Sequence, residues 1–169
     1  MTQRMILMKQ TLLFVIALLF IGLGGTSKSA DQLPPKKLTA ADLQKLRWIE
    51  GTWRGIGDTT PPFFERYRFE GDSVLLVDSF EDETLAKVTD TTRFELKDSE
   101  FGGGDSGHRY VAVGLDDRAI EFGPSQNVRN GFRWEKESAD VWKATILLPT
   151  TKDKPARQIV YKMERWPKK

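Results

Sequence analysis

The residue with the clearest potential for chemistry is Glu65, a carboxylate set among aromatic rings. Along the chain it alternates with Phe63, Tyr67 and Phe69, and alternate residues of a β-strand share one face. We therefore expect Glu65 to face the interior with these rings. A carboxylate in apolar surroundings is costly unless it is paired. The residue is thus predicted either to form a buried ion pair with an inward arginine such as Arg109, bracing the fold, or to bind the polar group of a ligand.

Two tryptophans extend this predicted interior. By the same alternation, Trp134 and Trp142 fall on neighbouring inward-facing rows. They either line an apolar pocket with few polar groups, which is the usual form of a small-molecule site, or simply fill the interior, since small β-barrels can be packed solid. The candidate ligand-binding residues are Glu65, Tyr67, Arg109, Trp134 and Trp142.

A catalytic constellation is not recognisable in the sequence. Cysteine is absent, which excludes disulfides, thiolate metal sites and cysteine nucleophiles. A Ser–His–acid triad would have to use the single histidine, His108, and no serine lies in a nucleophile-elbow sequence. The glycines at 102–104 are not followed by the Gly-Lys-Ser/Thr of a phosphate loop. We expect a protein without enzymatic activity; a barrel enzyme with Glu65 as acid or base is the alternative.

Residues 1–29 are predicted to form a signal peptide. Arg4 and Lys9 precede an uncharged apolar run at 12–23, which is shorter than the roughly 20 residues of a membrane-spanning helix. Ser27 and Ser29 place small side chains at positions −3 and −1 for cleavage after Ser29. We expect export to the periplasm or the medium, with no stable membrane span after cleavage. An uncleaved N-terminal anchor is the alternative.

The formal net charge of +2 is a poor guide to partners. Three of the 26 basic residues, Arg4, Lys9 and Lys28, lie in the predicted signal peptide, which contains no acidic residue. This leaves 23 basic against 24 acidic residues, a net charge of −1, for the rest of the chain. Such a balance provides no basic field for nucleic acid.

One short helix is predicted before the strands begin. Residues 30–38, with two prolines and two lysines, are typical of a linker. Thr39 and Asp42 have the spacing of a capping box, and apolar residues follow at every third position up to 49. Gly51 suits the end of a helix. The helix is therefore predicted over 40–49.

From Gly51 onward the apolar pattern changes to a period of two, broken by turn residues at regular intervals. The pattern predicts nine to ten short antiparallel strands. Closing them into a barrel would remove the exposed edges that an open sheet leaves. We therefore expect an all-β fold, an antiparallel up-and-down β-barrel over residues 39–169 with one short N-terminal helix.

The segment Gly51-Thr52-Trp53, placed after a short helix and before the strands, resembles the G-x-W signature of the lipocalin or calycin barrels. In that family the tryptophan plugs one end of the barrel, and a basic residue near the chain end packs over it. The resemblance implies these roles for Trp53 and Arg165. It also implies a cavity that binds a small, partly apolar or amphipathic molecule, which is our preferred function.

A closer resemblance covers most of residues 46–166. The opening at 46–53 is similar to that of small uncharacterised bacterial calycin-like domains, and the segment from Gly51 also resembles the start of nitrobindin-like haem barrels. Those haem barrels ligate iron through a histidine in the C-terminal strand, whereas residues 158–166 contain none. Only His108 could serve, so we expect no haem and no metal. A haem or nitric-oxide-related barrel and a solid-core envelope interaction protein are the alternatives.

Overall fold

In the computed structural model, which describes residues 33–105, 108–126 and 129–167, ten antiparallel strands close into one barrel. Each strand pairs with its neighbours in sequence, and the last pairs with the first. The predicted up-and-down barrel is confirmed, while the predicted signal peptide lies outside the described residues. The strands are β1 (Gly51–Ile56), β2 (Phe63–Glu70), β3 (Val74–Phe80), β4 (Val88–Lys97), β5 (Glu100–Asp105), β6 (His108–Leu115), β7 (Ala119–Gln126), β8 (Gly131–Lys136), β9 (Val141–Leu148) and β10 (Arg157–Arg165).

The helix before β1 begins as predicted but changes its winding. An α-helical turn, α1 (Ala40–Leu43), continues directly as a 3₁₀ helix, Gln44–Ile49. The capping box is present, because the Thr39 hydroxyl accepts from the Asp42 N–H and the Asp42 carboxylate accepts from the Thr39 N–H at 2.9 Å. In the described part of the chain, no helix is long and apolar enough to span a membrane.

The spacing of its apolar residues explains the 3₁₀ segment. Leu43, Leu46 and Ile49 recur every three residues and are fully buried. Three residues per turn is the period of a 3₁₀ helix, so this winding aligns all three on one face. The helix thus buries a single apolar stripe against one end of the barrel, which we call the plugged end.

Part of the predicted linker, residues 30–38, is attached to the barrel. The Lys36 N–H donates to the Ala112 carbonyl and the Leu38 N–H donates to the Ser99 carbonyl, both at 2.8 Å. Leu38 is buried, with 3% of its surface exposed. The two backbone hydrogen bonds and the burial of an apolar side chain favour an ordered contact over a solvated linker.

The plugged end is organised by one tryptophan and one arginine. The Trp53 indole N–H donates to the Ile49 carbonyl at 2.6 Å, which ties β1 to the helix. The Arg165 guanidinium carbon lies 3.8 Å from the centre of the Trp53 ring. Arg165 also donates to the Glu50 carbonyl at 2.7 Å and to the Ala139 carbonyl at 3.0 Å. Arg165 therefore covers the Trp53 ring and ties the chain end to the loops at the plugged end.

Gly51 makes this arrangement sterically feasible. Its φ of +125° is one that side-chain-bearing residues rarely adopt, and a Cβ at this position would collide with the Arg165 guanidinium. Only glycine allows the arginine to lie close to the backbone while it covers the Trp53 ring.

Gly51→Ala should lower the free energy of unfolding by about 2–4 kcal/mol, from backbone strain together with a displaced cation–π contact. Gly71→Ala is the matched control, because Gly71 has a φ of +64° but a Cβ added there would meet no atom within 4 Å. The control should lose only about 1–2 kcal/mol. Urea denaturation of both variants measures the difference. Equal losses would contradict a role for the Arg165 contact.

Candidate functional site

The barrel interior contains a small cavity of about 50 Å³. Six of the ten strands contribute to its lining, and most of the lining side chains are apolar or aromatic. The lining residues are Glu65, Tyr67, Val77, Thr92, Phe94, Phe132, Trp134, Ala144, Ile146 and Met163. Because strands from opposite sides of the barrel meet at this cavity, its shape depends on closure of the whole sheet.

Glu65 stands at the cavity wall on β2. In the sheet it lies between Trp53 of β1 and Ser79 of β3, and only 5% of its surface is exposed. The Tyr67 hydroxyl, two residues along the same strand, donates to Glu65 Oε2 at 2.7 Å. In the described ranges this is the only hydrogen bond that the Glu65 carboxyl forms. The carboxyl therefore keeps unused hydrogen-bonding capacity next to an open space.

Burial changes the protonation of both groups. Loss of solvent raises the pKa of Glu65 to about 7, against a smaller lowering by the Tyr67 hydrogen bond. Burial and the neighbouring carboxylate raise the pKa of Tyr67 well above its ordinary value. Near neutral pH the phenol is thus neutral, while the carboxyl is divided between its protonated and ionised forms. It can therefore donate or accept a hydrogen bond.

Asp78 is a second buried carboxylate, and unlike Glu65 it is paired with cationic side chains. It lies on the outer face of β3 and accepts from Arg66 at 2.9 Å, Arg68 at 3.1 Å and Thr91 at 2.8 Å. Burial raises the pKa of Asp78, but the hydrogen bonds from these three side chains outweigh burial and lower it. Asp78 is therefore held by the protein itself, whereas Glu65 has no cationic partner in the described structure.

Aromatic rings form the apolar side of the cavity. Trp134 lies 5.6 Å from Tyr67, 5.3 Å from Phe94 and 5.4 Å from Phe132, measured between ring centres. Tyr67 and Phe94 both meet Trp134 at steep interplanar angles of 88° and 68°, so edges of some rings contact faces of others. The cavity therefore has one polar corner, at Glu65 and Tyr67, and an aromatic wall.

Of the two roles predicted for Glu65, the ion pair with Arg109 is not formed in the described structure, where Tyr67 is the partner of the carboxyl. Tyr110 is fully buried and lies 5.0 Å from Phe132, so it takes the inward position on β6. Arg109 consequently lies on the other face, beside Gly102 of β5. An inward guanidinium on β6 would also be on the far side of the barrel from β2 and would lose its solvent.

Trp142 lies in a different layer of the interior from the cavity. It is fully buried, and its ring lies 6.1 Å from Trp48, 6.0 Å from Trp53 and 5.4 Å from Tyr67. It therefore packs between the plugged end and the cavity and does not line the cavity. Trp134 is the candidate tryptophan that does.

Sequence reasoning missed seven of the ten lining residues, which are Val77, Thr92, Phe94, Phe132, Ala144, Ile146 and Met163. For most of them the signal was present in the alternation of β4, β8, β9 and β10, where residues of the same parity face inward. Alternation identifies a face but not the height along the barrel at which a side chain lies. That height separates a residue lining the cavity from one packed in the plug.

The interior does not fit a haem. Pockets for drug-sized ligands measure roughly 300–1,000 Å³, and a haem belongs to that size class, whereas this cavity measures about 50 Å³. His108 begins β6, where its backbone pairs with Asp105; its side chain lies outside the described part of the structure. Across the described residues, no group of three or more potential ligand side chains is placed to hold a metal ion.

Comparison of the chain with protein-family models finds no match, and comparison with curated proteins finds none either. The resemblance to lipocalin-like barrels therefore stays a prediction. What supports a binding site is the barrel geometry and the chemistry of its interior.

Replacing Glu65 should change how stability depends on pH. The carboxyl titrates near 4.5 in the unfolded chain and near 7 in the fold. Between these values the unfolded chain releases a proton that the fold retains, so stability falls as pH rises from 4.5 to 7 and then levels. The loss is on the order of 3 kcal/mol. Glu65→Gln cannot ionise and should escape it.

Urea denaturation at pH 4 and pH 8 tests this expectation. From pH 4 to pH 8 the wild type should lose on the order of 3 kcal/mol of unfolding free energy through Glu65, and Glu65→Gln should not show this loss. Glu95→Gln, at an exposed glutamate of β4, is the control and should change in parallel with the wild type. A parallel change in Glu65→Gln would show that Glu65 titrates normally in the fold.

Proposed function

We propose that the protein is an exported, lipocalin-like barrel that binds a small, partly apolar molecule in the cavity beside Glu65, without catalysis. The observation that carries the proposal is a buried carboxyl with one hydrogen-bond partner at the wall of an aromatic-lined cavity. Buried polar groups in folded proteins normally have their partners, so a carboxyl left with spare capacity beside a cavity favours a ligand there.

The volume of the cavity limits the ligand. A dry cavity of about 150 Å³ in another protein holds benzene, and this one measures about 50 Å³. The ligand, or the part of it that enters, therefore has only a few non-hydrogen atoms. Lipids and other extended lipocalin ligands exceed this space unless the interior rearranges.

The arrangement of the lining also orients the ligand. A polar group would meet Glu65 and Tyr67, while an apolar part would contact rings such as Trp134 and Phe94. Because the remaining lining is apolar apart from Thr92, the polar corner is the main source of specificity in such a pocket.

The same small volume favours a second candidate, a solid-core barrel that acts through its outer surface as an envelope interaction protein. A cavity of this size with a polar corner can hold an ordered water as well as a ligand. In that case Glu65 would be solvated internally, and no small molecule would compete for the space. The two candidates are distinguished by a variant that fills the cavity. Such a variant should weaken small-molecule binding in the first candidate, whereas in the second there is no such binding to lose.

Ala144→Val should weaken binding, because the added methyl groups enter the cavity that Ala144 lines. Titrations of 2-propanol, acetamide and dimethylammonium, followed by the Trp134 indole resonance, should show at least a tenfold loss of affinity, or about 1.4 kcal/mol. Ala156→Val, at an exposed position, is the control. If none of the probes shifts the Trp134 resonance in the wild type, the solid-core candidate is favoured instead.

The proposed export has its own test. When the whole chain is expressed in a bacterial host, the periplasmic product should begin at Ala30, as read by intact mass. Leu18→Arg places a charge in the apolar run at 12–23 and should keep the product inside at full length. A wild-type product that stays at full length in the membrane fraction would indicate an uncleaved anchor.

A further inference from the structure

We infer that the cavity suits a small organic cation, a protonated amine or alkylammonium ion, held between the Glu65 carboxylate and the surrounding aromatic rings. This inference rests on the proposed function and names the class of its ligand. It follows from the combination of charge, aromatic surface and volume at one place in the barrel.

The charge inside the cavity is uncompensated. Glu65 and Tyr67 are the only titratable groups among its lining residues, and the partners of Glu65 across the sheet are Trp53 and Ser79. The other lining residues, from β3, β4, β8, β9 and β10, carry no ionisable group. When Glu65 ionises, no lining residue supplies an opposite charge, whereas Asp78 has two arginines beside it. An entering cation would supply it, whereas an anion would be repelled.

The aromatic wall adds a second attraction for the same class of ligand. Tyr67, Phe94, Phe132 and Trp134 all line the cavity. Ring faces attract ammonium groups through their quadrupoles, and the attraction is strongest where water is excluded. Aliphatic side chains would hold a neutral molecule equally well, so a wall with four aromatic rings next to a carboxylate favours a cation over a neutral ligand.

The volume selects small members of the class. About 50 Å³ is one third of the roughly 150 Å³ that accommodates benzene. Ions of two to four non-hydrogen atoms, such as methylammonium or dimethylammonium, match that space. Their methyl groups would contact the rings and their N–H groups would donate to the free lone pairs of Glu65.

Binding of such a cation is linked to proton release. Because burial raises the pKa of Glu65 to about 7, the carboxyl is protonated in part of the molecules at neutral pH. A bound ammonium ion favours the ionised carboxylate, so the Glu65 proton leaves to solvent. Affinity should therefore rise with pH up to about 7 and then level, while the amine keeps its charge throughout this range.

Isothermal titration of the folded protein with dimethylammonium chloride tests the inference. Binding should be about twentyfold tighter at pH 7.5 than at pH 5.5, with proton release detected as a buffer-dependent heat in phosphate and Tris. Dimethyl ether is the uncharged probe of the same size, and it should bind at least about tenfold more weakly at pH 7.5.

Two variants separate charge from shape. Glu65→Gln keeps the hydrogen bond but should lose both the preference for the cation and its pH dependence, whereas Glu95→Gln should behave as the wild type. Phe132→Leu keeps an apolar lining and should weaken dimethylammonium more than dimethyl ether. If Glu65→Gln folds poorly, Phe132→Leu still tests whether the aromatic wall prefers the cation.

The outcomes distinguish this inference from the proposed function. Equal binding of ether and ammonium, or undiminished ammonium binding by Glu65→Gln, overturns the cation class but leaves a ligand-binding cavity in place. If the folded wild type binds neither probe and Ala144→Val changes nothing, the proposed function fails, and this inference fails with it.

Discussion

The pairing of β1 with β10, held at one end by Arg165 over the Trp53 ring, is the contact on which the rest of the structure depends. Trp53 is opposite Arg165 in that pairing and opposite Glu65 in the next. The residue that closes the barrel therefore also sets the position of the buried carboxyl. With no cysteine in the chain, the sheet hydrogen bonds and the packed interior must maintain this closure.

Closure gives the two faces of the sheet very different electrostatics. Outside, Asp78 is buried beneath two half-exposed arginines, and their hydrogen bonds keep it charged in spite of its burial. Inside, Glu65 lies among aromatic rings, and among the described residues only the Tyr67 hydroxyl is its partner. The two carboxylates lie on adjacent strands, yet their pKa values shift in opposite directions. The pKa of Asp78 is lowered because it lies among cations, and that of Glu65 is raised because it lies where water is excluded.

The sequence was sufficient for the architecture, because alternation, turns and caps are local signals. The period of two identified the strands, Thr39 and Asp42 marked the helix start, and Gly51 with Trp53 marked the first strand. It was not sufficient where a contact depends on position around or along the barrel. Arg109 and Tyr110 are adjacent on β6, so only one of them faces the interior. Alternation alone does not tell which one it is. Trp142 faces inward as expected, but its layer is set by the stagger of neighbouring strands.

Glu65 stands out when stability is considered together with closure. At neutral pH the folded barrel bears the cost of a desolvated carboxyl, and a Gln at this position could form the same hydrogen bond to Tyr67 without that cost. In the described structure the Glu65 side chain forms one hydrogen bond, which joins two residues of the same strand and therefore connects no separate elements. A residue that costs stability and makes no compensating contact within the fold is expected at a functional site, where a ligand supplies the compensating interaction. In the function that we propose, the missing counter-charge, the adjacent space and the aromatic rings are parts of one site that its ligand completes.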